Sequence, residues 1–423
     1  MLEKVTLKSG LRLLLYPMQN TKAITLLVLV ASGSKYETRN INGISHFLEH
    51  TIFKGTKRRP TTLDIAKELD GVGGAYNAFT GKEVMGFWVK VNEKHFRLAA
   101  DVISDILFNS LFKAEELEKE KKVIFEEINM IEDDPQHYVL ELWERLLYGE
   151  QPAGWMISGS KETVAHISRE DIIRYFKRCF FAENAVISLA GNFANRKAIP
   201  EIEKFFNKFG KTKALSKKIT IERQVSPQVL LHFKETGQTH LCLGVRAFDL
   251  FSPKRYVLEI ISAILGGSMS ARLSVEVRQK RGLAYYVTTS LGQYTDTGYL
   301  VTETGVDTKR VDEAIKIILK EYQKLKTKKI TQSELNKVKD NIKGRLALSL
   351  ETSDAWAAYW GEQEILKKRI LTPEEECDRI DRVSINDIQR VSREIFKKEK
   401  LNLALIGSFK EKERFEKLLN ILA

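Results

Sequence analysis

The segment His46-Phe47-Leu48-Glu49-His50 places two imidazoles and a carboxylate within five residues. On a helix, positions i, i+3 and i+4 share a face, so His46, Glu49 and His50 are expected to project together. Two imidazoles one turn apart suit a zinc ion, and a carboxylate beside them suits a general base acting on water. With only 7 histidines in 423 residues, a chance match to this pattern arises in roughly one chain in a hundred. The competing reading is a pair of partly buried histidines satisfied by backbone hydrogen bonds. A zinc site that keeps one position open for water needs a third protein ligand.

The stretch Glu115 to Ile131 offers one. Its helical periodicity puts Leu117, Glu120, Ile124, Glu127, Ile128 and Ile131 on one stripe. Two carboxylates therefore fall on the face that should be buried, where they are costly unless paired or bound to a metal. Glu126 falls on the opposite side with Lys119, Lys122 and Met130, a solvated face. Helical phase thus favours Glu127 as the third ligand. Glu120, one heptad earlier, is placed to hydrogen-bond a histidine or to hold water. The alternative is a helix whose acidic positions point into a wet cleft.

The elements that must position these groups follow from a long internal repeat. Ser168, Asp171, Ile172 and Arg174 recur as Ser384, Asp387, Ile388 and Arg390 at a constant separation of 216 positions. Val91-Asn92-Glu93-Lys94 answers Val306-Asp307-Thr308-Lys309 at 215. A period this long is two copies of one domain and not a solenoid. The boundary is expected in the lysine-rich stretch from Lys211 to Glu222, giving domains over 1–212 and 213–423. Within the first copy, Val5–Leu7 and Leu11–Leu15 read as a hairpin about Lys8-Ser9-Gly10, and Ala23–Ala31 and Met85–Val91 as strands. Leu63–Asp70, Phe96–Asn109, Glu115–Ile131 and Arg169–Phe180 read as helices. The fold class is α+β: two homologous domains, each a largely antiparallel sheet covered by helices on one face.

The order HxxEH, with His50 followed at a distance by Glu127, resembles the inverted-motif zinc peptidases of the pitrilysin, insulysin and mitochondrial processing peptidase family. The resemblance spans essentially the whole chain. It implies His46, His50 and Glu127 as ligands of one zinc per chain, Glu49 as the base and Glu120 as a supporting carboxylate. It also singles out the Gly-rich segment ending Asn77-Ala78-Phe79-Thr80, where an extended substrate could add as a strand. Arg278 and Tyr285, seven apart, are implied as groups that bind a substrate carbonyl and stabilise an oxyanion. Without the family, Asn77 to Phe79 would read as a turn into a buried strand, and Arg278 and Tyr285 as a surface arginine and a core tyrosine.

The second copy lacks the metal set. Positions answering His46 to His50 are Ile261-Ser262-Ala263-Ile264-Leu265, and Arg345 answers Glu127. That half is expected to serve substrate binding and enclosure. The resemblance implies a zinc-dependent endopeptidase acting on peptides or unfolded polypeptide, working as a homodimer or as a heterodimer with a related subunit. The alternative within the family is a non-catalytic structural subunit, which should show broken motifs.

Composition excludes other classes. Hydrophobic residues make up 43% and charged residues 29% of the chain, a globular balance that argues against disorder. The net charge of +12 invites a nucleic-acid reading. The lysines, however, alternate with glutamates along helices, as solvated faces do, so no nucleic-acid partner is expected. No apolar run approaches a bilayer span and no apolar signal segment opens the chain, so a cytoplasmic location without membrane attachment is expected. Cys179, Cys242 and Cys377 are too scattered for a disulfide framework or a metal knuckle.

Overall fold

The structure is a computed structural model that describes residues 1–210 and 216–420. The boundary expected between residues 212 and 213 lies outside the described residues. The chain forms two compact units. The first comprises Met1–Asn129, Met156–Lys218 and Leu348–Ile370, and the second comprises Met130–Trp155, Ile219–Ala347 and Leu371–Ala423. Each half of the sequence therefore lends a short segment to the unit built mainly from the other.

In the first unit the strands are β1 (Glu3–Thr6), β2 (Arg12–Pro17), β3 (Ala23–Val30), β4 (Ala75–Thr80), β5 (Met85–Asn92) and β6 (Ala185–Gly191). They form one sheet in the order β1-β2-β6-β3-β5-β4. The β1–β2 hairpin turns through Gly10, whose φ of 90° suits a residue without a Cβ. Only β2 and β6 pair in parallel; every other neighbour is antiparallel. Leu13, Leu15, Leu26, Val28 and Val30 point to one face and are buried there beneath α1 (Ile44–Ile52), α2 (Thr62–Asp70) and α3 (Phe96–Asn109).

The opposite face is apolar too: Leu14, Leu27, Leu29 and Val186 are buried against Ala357 and Trp360 of the helix Ser353–Glu362. A Cβ on Gly361 of that helix would meet Leu29 Cδ1 at 2.7 Å, so the approach is as close as a glycine allows. The sequence reading put helices on one face only. Because β3 is apolar at consecutive positions, both faces need cover, and the exchanged helix supplies it.

The second unit repeats the plan with β7 (Gln228–Phe233), β8 (Thr239–Arg246), β9 (Ala284–Gln293), β10 (Gly298–Val306) and β11 (Leu401–Gly407), in the order β7-β11-β8-β10-β9. Again one pair, β7–β11, is parallel. Leu243, Leu300 and Leu403 pack with Ile261, Ile318 and Val391 from three helices on one face. The helix α4 (Ala114–Asp133) is followed by α5 (Pro135–Tyr148), whose Val139 and Trp143 pack with Cys242, Val301 and Ala404 on the other face. Asp134 caps α5 by accepting from the Gln136 backbone N–H at 2.9 Å, with Pro135 opening the first turn. No helix among the described residues is long and apolar enough to cross a membrane.

Candidate metal centre

The helix α1 is amphipathic in a specific sense. Ile44, Phe47, Leu48 and Ile52 are fully buried in the core of the first unit. That anchorage turns His46 and His50 towards α4. His46 is buried, whereas Glu49 and His50 are partly buried. On α4, Leu117, Ile124 and Ile128 enter the core and fix the phase of the helix.

Glu127 consequently meets α1. Its Oε1 lies 3.4 Å from His46 Nε2 and its Oε2 lies 3.3 Å from His50 Nε2. The two imidazoles stand edge to face with centroids 4.6 Å apart. One donor atom from each of His46, His50 and Glu127 falls within 4.8 Å of the others, the one such cluster of histidine, cysteine and acidic side chains among the described residues. Glu126 is exposed, and its carboxylate accepts from Asn129 Nδ2 at 3.3 Å.

Glu120 stands behind His50. Its Oε2 is 3.2 Å from His50 Nδ1, and its Oε1 is 2.6 Å from Lys54 Nζ. This is the arrangement in which a carboxylate orients a ligating imidazole and leaves the other ring nitrogen for a metal. His46 Nδ1 has no such partner and is buried. Lys54 was not singled out from sequence; its position one turn after His50 was the available signal.

The electrostatics are those of a site organised around positive charge. Hydrogen bonds from His46 and His50 hold the Glu127 carboxyl far below its usual range. Burial opposes charging of His50, but Glu120 and Glu127 outweigh it and raise the imidazole to about 9. Burial likewise works against ionised Glu120, yet His50 and Lys54 hold it below the normal carboxylate value. Two imidazole nitrogens and a carboxylate oxygen, converging in a partly dry site that favours a cation, fit zinc. The Glu49 carboxylate has no hydrogen bond or ion pair among the described residues and so retains its acceptor capacity.

Asn77, Ala78 and Phe79 lie on β4, the edge strand of the first sheet, paired with Trp88, Phe87 and Gly86 of β5. The strand runs beside α1, and the Tyr76 and Phe53 rings approach to 6.2 Å. The other long edge of β4 is unpaired by any strand among the described residues. Arg278 and Tyr285 belong to the second unit and meet there, the guanidinium 5.2 Å from the centre of the tyrosine ring. Tyr285 is 80% exposed at the start of β9. The segment answering the metal helix is apolar: Ile261, Ile264 and Leu265 are buried, and Arg345 is exposed.

The chain is similar to known proteins over nearly its whole length. The profile described as Insulinase (Peptidase family M16) matches residues 13–161, and that of the Peptidase M16 inactive domain matches residues 166–342. A Bacillus subtilis relative named as the uncharacterized zinc protease YmxG is 35% identical over 96% of this chain and 98% of its own length. A Streptomyces coelicolor relative, also named as a zinc protease, is 30% identical over 97% of this chain and 90% of its own. Among solved structures, a Helicobacter pylori protease superposes with a TM-score of 0.90 at 23% identity, over 96% of this chain and 99% of that one. A Pseudomonas fluorescens structure described as a peptidase M16 inactive domain gives 0.89 at 17%, over 97% and 98%. These structures share the fold. With the HxxEH helix and Glu127 in its first half and a second copy that lacks those residues, the chain belongs to the insulinase (M16) family of peptidases.

Proposed function

We propose that this protein is a zinc-dependent endopeptidase that hydrolyses peptides or unfolded polypeptide segments, with one zinc per chain held by His46, His50 and Glu127. The observation that carries the reading is the convergence of those three side chains, with Glu49 directly before His50 on the same helix. When bound, zinc supplies a Lewis acid that makes water nucleophilic near neutral pH. Glu49 takes the proton released as water attacks the scissile carbonyl and returns it to the leaving amine. Glu120, held by Lys54, keeps the proton of His50 on Nδ1 and so leaves Nε2 free for the metal. The free edge of β4 receives the substrate as an added strand, which requires an extended chain and so selects unfolded segments. Arg278 and Tyr285 donate to the substrate carbonyl, in a homodimer where the metal-free domain of one subunit faces the zinc domain of the other.

Cleavage of a fluorogenic peptide tests this reading. Removing metal with a chelator should abolish turnover and adding zinc should restore it. Undiminished cleavage by metal-stripped protein would sink it.

A further inference from the structure

The helix α1 starts without a side-chain cap of its own. Its N-cap is Gly43, which has no side chain to satisfy the first free N–H groups and sits at φ 96°. The carboxylate of Glu37, a residue only 3% exposed, takes over that role from outside the helix. Its Oε1 accepts from the Ser45 backbone N–H at 2.9 Å. Its Oε2 accepts from the Gly43 N–H at 2.8 Å and from Asn42 Nδ2 at 2.9 Å. Burial raises the Glu37 carboxyl, and the donors of Asn42, Ser45 and Gly43 work against that rise. All three bonds are donated to the carboxylate, so both its oxygens serve only as acceptors.

The surroundings fix the same point from other sides. Asn42 also donates to the Met156 carbonyl at 3.1 Å, and a Cβ on Gly43 would meet the Ser158 carbonyl oxygen at 2.6 Å. The Ser45 hydroxyl shares a 2.8 Å hydrogen bond with Tyr175, which shares another with Ser32 at 2.9 Å. Ser45 immediately precedes His46.

The metal-free copy supplies the contrast. At the separation of 215, Ile44 answers Glu259, but the corresponding helix begins a turn earlier, at Arg255. Ser252 stands where Glu37 would be. One copy of this helix keeps its first turn and has no ligands. The other carries the ligands, and the buried side-chain carboxyl of Glu37 stands in place of that turn.

We propose that Glu37 is a positioning residue of the metal centre, fixing where α1 begins and hence where His46 and His50 meet Glu127. The inference rests on the zinc reading above. A helix that slips by one residue moves each side chain by about 1.5 Å along the axis and about 100° around it. Metal–ligand distances tolerate only about 0.2 Å. Anchoring the first turn is therefore a condition of binding and not only of folding.

The test is zinc affinity, measured by competition with a chromophoric chelator, together with the visible spectrum of the cobalt(II) form. Glu37→Gln keeps the size of the side chain but turns an NH2 group towards N–H donors on one side or the other. It should weaken zinc binding at least tenfold and alter the cobalt spectrum. Ile202→Ala, a core truncation in the same unit, should lower the Tm of the metal-free protein as much or more, yet leave zinc affinity within twofold and the cobalt spectrum unchanged. Glu37→Asp, one methylene shorter, should weaken binding at least threefold. Wild-type affinity and spectrum in Glu37→Gln would overturn the proposal, as would an equal affinity loss in Ile202→Ala. If Glu37→Gln does not fold, Glu37→Asp decides, and unchanged affinity there overturns it. A wild-type protein that binds no zinc would instead refute the metal reading on which the proposal stands.

Discussion

Alanine at Glu127 and alanine at Glu126 are adjacent changes on one helix that should have opposite consequences. Glu127 bridges both imidazole Nε2 atoms at 3.4 and 3.3 Å. Glu126 touches only Asn129, from an exposed position. Zinc held by four protein donors in small peptides is bound by about 10–16 kcal/mol, or about 3 kcal/mol per donor. Losing one donor of three should thus weaken zinc binding by about a hundredfold or more. The side chain of Glu127 stays 39% exposed, so its removal opens no core cavity and the metal-free fold should hold. Glu126→Ala should change stability and affinity by no more than about 0.5 kcal/mol, as exposed substitutions do. Competition titration against a chromophoric chelator, with circular dichroism to confirm folding, reads both effects. An affinity loss in Glu126→Ala with none in Glu127→Ala would refute the phase argument for α4.

The remaining expectations concern protons and subunits. In the metal-free protein Glu120 and Glu127 raise His50 to about 9 while the histidines hold Glu127 well below the usual carboxylate range, so zinc uptake at pH 7 should displace a proton from His50. Apparent affinity should therefore rise about tenfold per pH unit from 7 and level off near 9; proton release in titrations with buffers of different ionisation enthalpy checks it, and a flat profile contradicts it. If the active unit is a homodimer with Tyr285 acting across subunits, Glu49→Gln and Tyr285→Phe dimers should each be nearly inactive. A mixture allowed to exchange should then regain up to about a quarter of wild-type turnover. No recovery after demonstrated exchange would rule out the shared site.

Much of the site was legible because it rests on helical periodicity. The spacing of His46, Glu49 and His50, and the phase that separates Glu127 from Glu126, are local properties, and the helices Phe96–Asn109 and Ala114–Asp133 fall where the apolar stripe required. The parallel pairing of β2 with β6 and the crossing of α5 and the helix Ser353–Glu362 to the second faces were not legible. They depend on contacts between residues as far apart as Leu29 and Gly361, which no local pattern encodes. Glu37 and Lys54 were missed for a related reason. Each is an ordinary charged residue in sequence and acquires its role only from what it faces: the start of α1 for Glu37, and Glu120 for Lys54.

In the proposed mechanism His46, His50 and Glu127 hold zinc while Glu49 moves the proton. The most direct test is zinc content and peptide turnover measured together on wild type and Glu49→Gln. Glu49 is not a ligand in this account, so the variant should retain about one zinc per chain and lose turnover by a factor of at least about a hundred, the contribution of a positioned base. A Glu49→Gln protein that cleaves peptides at the wild-type rate, or one that has lost its zinc, would contradict it.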